Sequence, residues 1–423
     1  MDKYIKRELF VDLESHLKQK EISLITGPRQ AGKTTLMLLL EQNLKKNGIP
    51  TLFFNLDRES DRQYFDTQDG FLRKIRLEIG FRKAVVFVDE IQRKENAGLF
   101  LKGIYDSDLP YKFVVSGSGS LELKEKIHES LVGRKRIFDL GTVSFNEFVN
   151  FKTAYRYENQ LEEFFEVEKE QTQALLEEYL NFGGYPQIVL AETVKEKRMV
   201  IDEIFQSYLE KDISYLLGLK KTDRVFKLIR LLAAQTGQII NYSKLSAELN
   251  VSVKTLKDYL WYGEKTFVLD KLTPYFKNAR KEIVKSPRYY FCDLGLRNYA
   301  LGTFGDVVDY GFLFENFVLR ILRERLRWSG SSVHFWRTKD RAEVDFILVK
   351  GEKAFPVEVK YRKFDSPKVF RSLGNFIKKY SPPKAFVVNL NYRGKMTYQN
   401  TEIEFLPYWD MLNLELDESP AVP

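Results

Sequence analysis

The run Gly27-Pro28-Arg29-Gln30-Ala31-Gly32-Lys33-Thr34-Thr35 fits the pattern Gly-x-x-x-x-Gly-Lys-[Ser/Thr], a loop that wraps phosphates in backbone N–H groups. Glycine is needed at Gly27 and Gly32, where a side chain would block the approach of a triphosphate. Lys33 is expected on the β- and γ-phosphates, and the Thr34 hydroxyl in a Mg²⁺ shell. Asp89 and Glu90 supply what hydrolysis adds to binding. Asp89 would hold the Mg²⁺ through water, and Glu90 would polarise the attacking water. Ser116 and Ser118 could sense the γ-phosphate or orient that water, but a simple turn reads equally well. Which serine acts stays open.

A second constellation lies near the carboxyl end. Glu315, Asp345 and Glu358 could converge as carboxylates on a hard cation, Mg²⁺ or Mn²⁺. Lys360 beside them could stabilise a pentavalent phosphate or hold an attacking water. The Glu-x-Lys triplet says little alone. The ordered set of helix acid, strand aspartate and Glu-x-Lys thirteen residues later says more, against a plain charged hairpin. A third signal is charge. Lys277, Arg280, Lys281, Lys285 and Arg288 crowd a segment with one acid, as a phosphate-backbone contact would require; an exposed charged hairpin reads as well.

These residues need elements to position them. The apolar Ile22–Ile25 segment reads as a strand before the loop, and Leu36–Leu40 as the buried side of a helix after it, whose positive end faces the phosphates. Residues 84–90 form a continuous apolar run ending in two acids, as a fully buried parallel strand would. Strands at 51–57 and 111–118 complete a β/α alternation. Further on, an amphipathic helix over 223–235, a short helix at 244–249, a break, and a helix opened by Ser252 keep the rhythm of a helix-turn-helix. Residues 266–275 and the basic segment would add the strands and wing of a winged helix. Lys254 and Lys257 would face outward, toward DNA or toward a protein. Near the end, 312–319 reads as a helix, with strands at 333–336, 343–348 and 355–360.

Composition sets the bounds. The 423 residues, 44% hydrophobic, suit an α/β protein of two to four domains. One cysteine, Cys292, excludes internal disulfides and suits a reducing cytosol; His16, His128 and His334 are too scattered for a metal cluster. No apolar run approaches a bilayer's thickness and no signal-peptide core opens the chain, so a soluble cytoplasmic protein with no membrane partner is expected. The net charge of +8 is modest, with acids gathered in 158–178 and bases in 277–288.

Gly-Pro-Arg-Gln-x-Gly-Lys-Thr-Thr, Val-Asp-Glu-Ile-Gln (88–92), Ser-Gly-Ser (116–118), Leu-Val-Gly-Arg (131–134), Ser-Phe-Asn-Glu-Phe (144–148) and Gly-Gly-Tyr-Pro (183–186) together resemble the motifs of a prokaryotic family of AAA-type ATPases. In that family the ATPase is fused to a carboxyl-terminal region resembling the PD-(D/E)XK nucleases. Its Trp-Arg, Glu-Val-Asp-Phe and Val-Glu-Val-Lys hallmarks stand here at 336–337, 343–346 and 357–360. The resemblance implies a P-loop ATPase domain over 1–150, a helical lid over 151–220, a winged helix over 221–300 and a nuclease-like α/β domain over 301–423. It makes Arg134 an arginine-finger candidate on a neighbour's ATP, although Arg134 could equally bind its own domain's carboxylates. Lys211 stands where relatives commonly carry arginine, which keeps the charge but loses the bidentate geometry.

The reading that follows is an ATP- and Mg²⁺-dependent enzyme that remodels or translocates on duplex or branched DNA. It would assemble as a homo-oligomer, with a hexameric ring among the candidates, and its last domain would be nuclease or clamp. Two other readings compete: a nucleotide-gated switch acting on a protein, and a structural DNA-binding protein whose assembly ATP controls.

Overall fold

The computed structural model describes residues 4–117, 131–208, 223–276, 286–414 and 416. The chain builds two compact units and passes between them repeatedly. Met1–Val143, Tyr185–Val225 and Asp258–Val268 make the first; Ser144–Gly184, Phe226–Lys257 and Leu269–Pro423 make the second. One division between the units falls before Ser144. Its cause is aromatic burial. Ser144 opens the helix Phe145–Lys152 with a capping box, and the Phe145 ring packs on Phe165, Tyr179, Phe317 and Tyr408, all in the second unit.

The first unit holds a parallel sheet of β1 (Ile22–Thr26), β2 (Thr51–Asn55), β3 (Ala84–Asp89), β4 (Tyr111–Ser116) and β5 (Lys135–Asp139), in the order β2-β3-β4-β1-β5. β1, β3 and β4 are buried along their whole length, as their unbroken apolar runs require. Alternation sends Val86 and Val88 into one core with Phe71 and Phe100, and Val85 and Phe87 into another with Met37 and Leu40. The helix Lys33–Lys46 reaches that second core through Leu36, Met37, Leu40 and Leu44, spaced as one face of an amphipathic helix. All strands being parallel, their carboxyl ends share one edge, and the phosphate loop leaves β1 there.

In the second unit, helices Tyr242–Leu249 and Val253–Lys265 are capped by Asn241 and Ser252, and a short antiparallel pair follows, β6 (Leu269–Leu272) with β7 (Arg288–Phe291). The helix Val253–Lys265 runs on from this unit into the first. A six-stranded mixed sheet contains β8 (Ser332–Arg337), β9 (Glu343–Lys350), β10 (Lys353–Val359), β11 (Lys384–Asn389), β12 (Gly394–Tyr398) and β13 (Thr401–Pro407), ordered β12-β13-β11-β10-β9-β8. The helix Gly311–Arg325 buries nine of its residues, Glu315 among them. No helix among the described residues is long and apolar enough to cross a membrane.

Candidate nucleotide site

The phosphate loop is built around two backbone demands. A Cβ at Gly27 would lie 2.1 Å from the Leu140 carbonyl oxygen, so the chain after β5 excludes any side chain there. Gly32 takes φ +91°, which favours glycine, and leads directly into the helix Lys33–Lys46. Lys33 is buried, and its ammonium donates to the Gly27 carbonyl at 3.0 Å and the Pro28 carbonyl at 2.7 Å. The cation is thus held inside the loop, where phosphate oxygens would arrive.

Asp89 closes β3 and is 1% exposed. Its Oδ2 accepts from the Thr34 hydroxyl at 2.7 Å and from Asn55 Nδ2 at 3.4 Å, and its Oδ1 accepts from the Ser116 hydroxyl. Thr34 and Asp89 are the residues that would hold a hydrated Mg²⁺ beside the phosphates. Glu90 follows in a left-handed conformation, φ 58°, ψ 41°. Such backbone in a non-glycine residue costs about 1–3 kcal/mol and gathers at functional positions. Gln92 donates to Glu90 Oε2. Burial, then the Asp89 charge, pushes the Glu90 carboxyl above the usual carboxylate range, with Lys33 opposing. A cavity of about 580 Å³ is lined by Arg29, Gln30, Ala31, the 32–36 turn and Glu90.

Several expected roles change. Ser116 is fully buried and its hydroxyl donates to Asp89. Ser118 and Lys211 lie outside the described residues. Arg134 stands just before β5, at the sheet edge opposite the phosphate loop, and its guanidinium pairs with Asp106 at 2.8 Å. It takes no part in its own chain's site. Residues without a sequence signal join instead. Arg7 donates to the carbonyls of Ala31 at 2.8 Å, Gly141 at 2.8 Å and Thr142 at 3.1 Å, tying the amino-terminal segment to the loop. Tyr4, Ile5, Pro186, Gln187 and Leu190 share the cavity wall. Pro186, from the Gly-Gly-Tyr-Pro motif, opens the helix Pro186–Leu190.

The carboxyl-terminal carboxylates come together. Glu315 accepts from Tyr290 Oη at 2.5 Å and lies 3.5 Å from Arg288; Asp345 accepts from the Val359 N–H at 2.7 Å; Glu358 accepts from Lys360 at 2.6 Å. Lys360 is also 3.9 Å from Asp345. Burial, then Asp345, raises the pKa of both Glu315 and Glu358. Among the described residues no three carboxylate, histidine or cysteine side chains are set to hold an ion. Arg288 and Lys360 lie among the carboxylates Glu315, Asp345 and Glu358 expected to hold Mg²⁺ or Mn²⁺.

Arg288 corrects an expectation. It is 1% exposed, lies over the Phe335 ring at 4.3 Å and pairs with Glu343 and Glu315, so no DNA phosphate reaches it. Lys254 and Lys257 are exposed, with Lys257 over the Tyr242 ring at 5.2 Å. Lys277, Arg280, Lys281 and Lys285 lie outside the described residues.

Three stretches match known domain families: residues 19–149 an AAA domain, and residues 173–306 and 310–411 two domains of unknown function. An uncharacterised protein of Haemophilus influenzae is 27% identical over 414 residues, 95% of this chain and 96% of its own. One of Mycobacterium tuberculosis is 25% identical over 374 residues (87% and 76%), and one of Methanocaldococcus jannaschii 26% over 413 (94% and 89%). Among solved structures, the replication initiator DnaA bound to AMPPCP and single-stranded DNA shares 14% identity with a TM-score of 0.33, covering 62% of this chain and 91% of that one. A STAND ATPase with a tetratricopeptide repeat sensor from Pyrococcus horikoshii shares 14% with a TM-score of 0.28, covering 77% and 46%. The stretch 19–149, which matches the AAA domain family, holds the phosphate loop, Asp89, Glu90 and Ser116.

Proposed function

We propose that this chain is a Mg²⁺-dependent ATPase whose nucleotide cycle acts on duplex or branched DNA. The observation that carries the ATPase half is Asp89, held by Thr34, Ser116 and Asn55 at the mouth of a complete phosphate loop, with Glu90 next to it. When bound there, Mg²⁺ would neutralise charge building on the β- and γ-phosphates. Lys33 exchanges the Gly27 and Pro28 carbonyls for phosphate oxygens, and the helix Lys33–Lys46 offers its N–H groups to the same anion. Glu90 accepts a proton from the attacking water, and its raised pKa brings it nearer the operating pH of a base.

Lys254 and Lys257 are exposed on the first turns of the helix Val253–Lys265, which follows a tight break after Tyr242–Leu249. Arg134, absent from its own site, is assigned to a neighbouring copy's nucleotide in a homo-oligomeric ring. The testing experiment is ATP hydrolysis measured in parallel without DNA and with single-stranded, duplex, forked and four-way DNA. Stimulation by one structured DNA over single strands supports the proposal. Hydrolysis indifferent to every DNA leaves a nucleotide-gated switch acting on a protein, and no hydrolysis under any condition removes the ATPase reading itself.

A further inference from the structure

No step of the proposed hydrolysis uses Arg7, yet its guanidinium ties together the chain segments that frame the phosphate loop. Nη1 donates to the Ala31 carbonyl at 2.8 Å, and Nη2 donates to the carbonyls of Gly141 at 2.8 Å and Thr142 at 3.1 Å. A planar fork of donors thus joins the loop to the chain leaving β5. The same stretch of chain carries the Leu140 carbonyl that leaves no room for a side chain at Gly27. All of these residues belong to the first unit.

The loop needs such a tie. Gln30 stands at φ 58°, a left-handed backbone that glycine takes freely and glutamine takes under strain. Strain of this kind persists where the surroundings over-determine it. Ala31, the next residue, is fully buried, so its carbonyl depends on a donor from the protein. Lys33 also ties the loop, through the Gly27 and Pro28 carbonyls. That tie is temporary, because the same ammonium turns to the phosphates when they arrive. A bound phosphate pairs with N–H groups and not with carbonyls, so it leaves the Arg7 tie in place.

We infer that Arg7 is a positioning residue, which holds the phosphate loop in its nucleotide-binding shape both before and after the nucleotide enters. The inference rests on the reading of this loop as a nucleotide site. Its effect falls on affinity. Where a loop is competent for part of the time, the apparent Kd rises by the inverse of that fraction. Arg7 acts through backbone that serves di- and triphosphates alike, so both lose affinity equally without it. A guanidinium that instead met the γ-phosphate would favour the triphosphate alone.

The test is calorimetric titration of the full chain with Mg²⁺-ADP and with Mg²⁺-AMPPCP, whose methylene bridge resists hydrolysis, recording Kd and sites per chain. Arg7→Met keeps the length of the side chain and removes its donors; Kd should rise about tenfold or more for both ligands, with the number of sites per chain unchanged. Arg7→Lys keeps the charge but not the fork, and its Kd should fall between those of the parent and Arg7→Met. An unchanged Kd in Arg7→Met would overturn the inference. So would fewer sites at the parent's Kd, the mark of lost folding alone, or Arg7→Lys binding as tightly as the parent, which would make charge sufficient. A loss for AMPPCP more than about threefold beyond the loss for ADP would overturn it too, by placing the guanidinium on the γ-phosphate. A parent chain that binds neither ligand removes the nucleotide reading itself, and the role of Arg7 with it.

Discussion

Replacing Ser116 by alanine separates a residue that holds Asp89 from one that touches the nucleotide. The hydroxyl is fully buried and donates to Asp89 Oδ1, while Thr34 at 2.7 Å and Asn55 at 3.4 Å share Oδ2. A hydrogen bond to a charged group contributes about 1.5–3 kcal/mol. The lower figure applies here, because Asp89 keeps two donors on its other oxygen. If that orientation is what presents Asp89 to hydrated Mg²⁺, its loss weakens the metal by about tenfold. The assay is steady-state hydrolysis at fixed ATP with Mg²⁺ titrated. Ser116→Ala should move the half-saturating Mg²⁺ concentration up about tenfold, with kcat at saturating Mg²⁺ within about threefold of the parent. A kcat loss of similar size at every Mg²⁺ concentration, with the midpoint unmoved, would refute the reasoning and place Ser116 on the γ-phosphate or the water.

Other consequences can be checked with few variants. Glu90→Gln should bind ATP normally and stop turnover. In the parent, kcat should fall with decreasing pH through a value above the usual carboxylate range, since protonated Glu90 cannot accept a proton and burial and Asp89 raise its pKa; a plateau reaching down to pH 4 would contradict this. Mixing Lys33→Ala protein with Arg134→Ala protein should recover hydrolysis that each lacks alone, because the first supplies the arginine and the second the intact loop; no recovery at any ratio would end the role in a neighbour's site. Lys254→Ala with Lys257→Ala should lower the log–log salt slope of duplex binding by about 0.9 for each phosphate no longer neutralised. Arg288→Ala should leave that slope alone and instead cost about 3–5 kcal/mol in urea unfolding, as breaking a buried pair does, and a reversed pattern would return Arg288 to the DNA surface.

The nucleotide site was legible because its chemistry is local. Nine consecutive residues make the loop, and Asp89 and Glu90 end an apolar run too long for anything but a buried strand. Residues that reach the site through folding left no trace. Arg7 sits in an ordinary charged stretch and meets the loop only because β1 and β5 bring Ala31, Gly141 and Thr142 together. β5 itself hides in Lys135-Arg136-Ile137-Phe138-Asp139, an edge strand whose two cations read as surface. Arg288 fails for the opposite reason. It ends a run of cations, and only pairing with Glu315 and Glu343, 27 and 55 positions on, shows that it is buried. The same long-range pairing sets Arg288 against Glu315, one of the carboxylates whose spacing suggested an ion.

A DNA-responsive ATPase stands or falls on the rate of ATP hydrolysis by the purified chain with forked or four-way DNA, alongside Glu90→Gln and Lys33→Ala. Hydrolysis should depend on Mg²⁺ and rise with structured DNA; Glu90→Gln should bind ATP without turnover, and Lys33→Ala should show neither. Hydrolysis surviving in Glu90→Gln at the parent's rate, or nucleotide binding undiminished in Lys33→Ala, would contradict the assignment of this site.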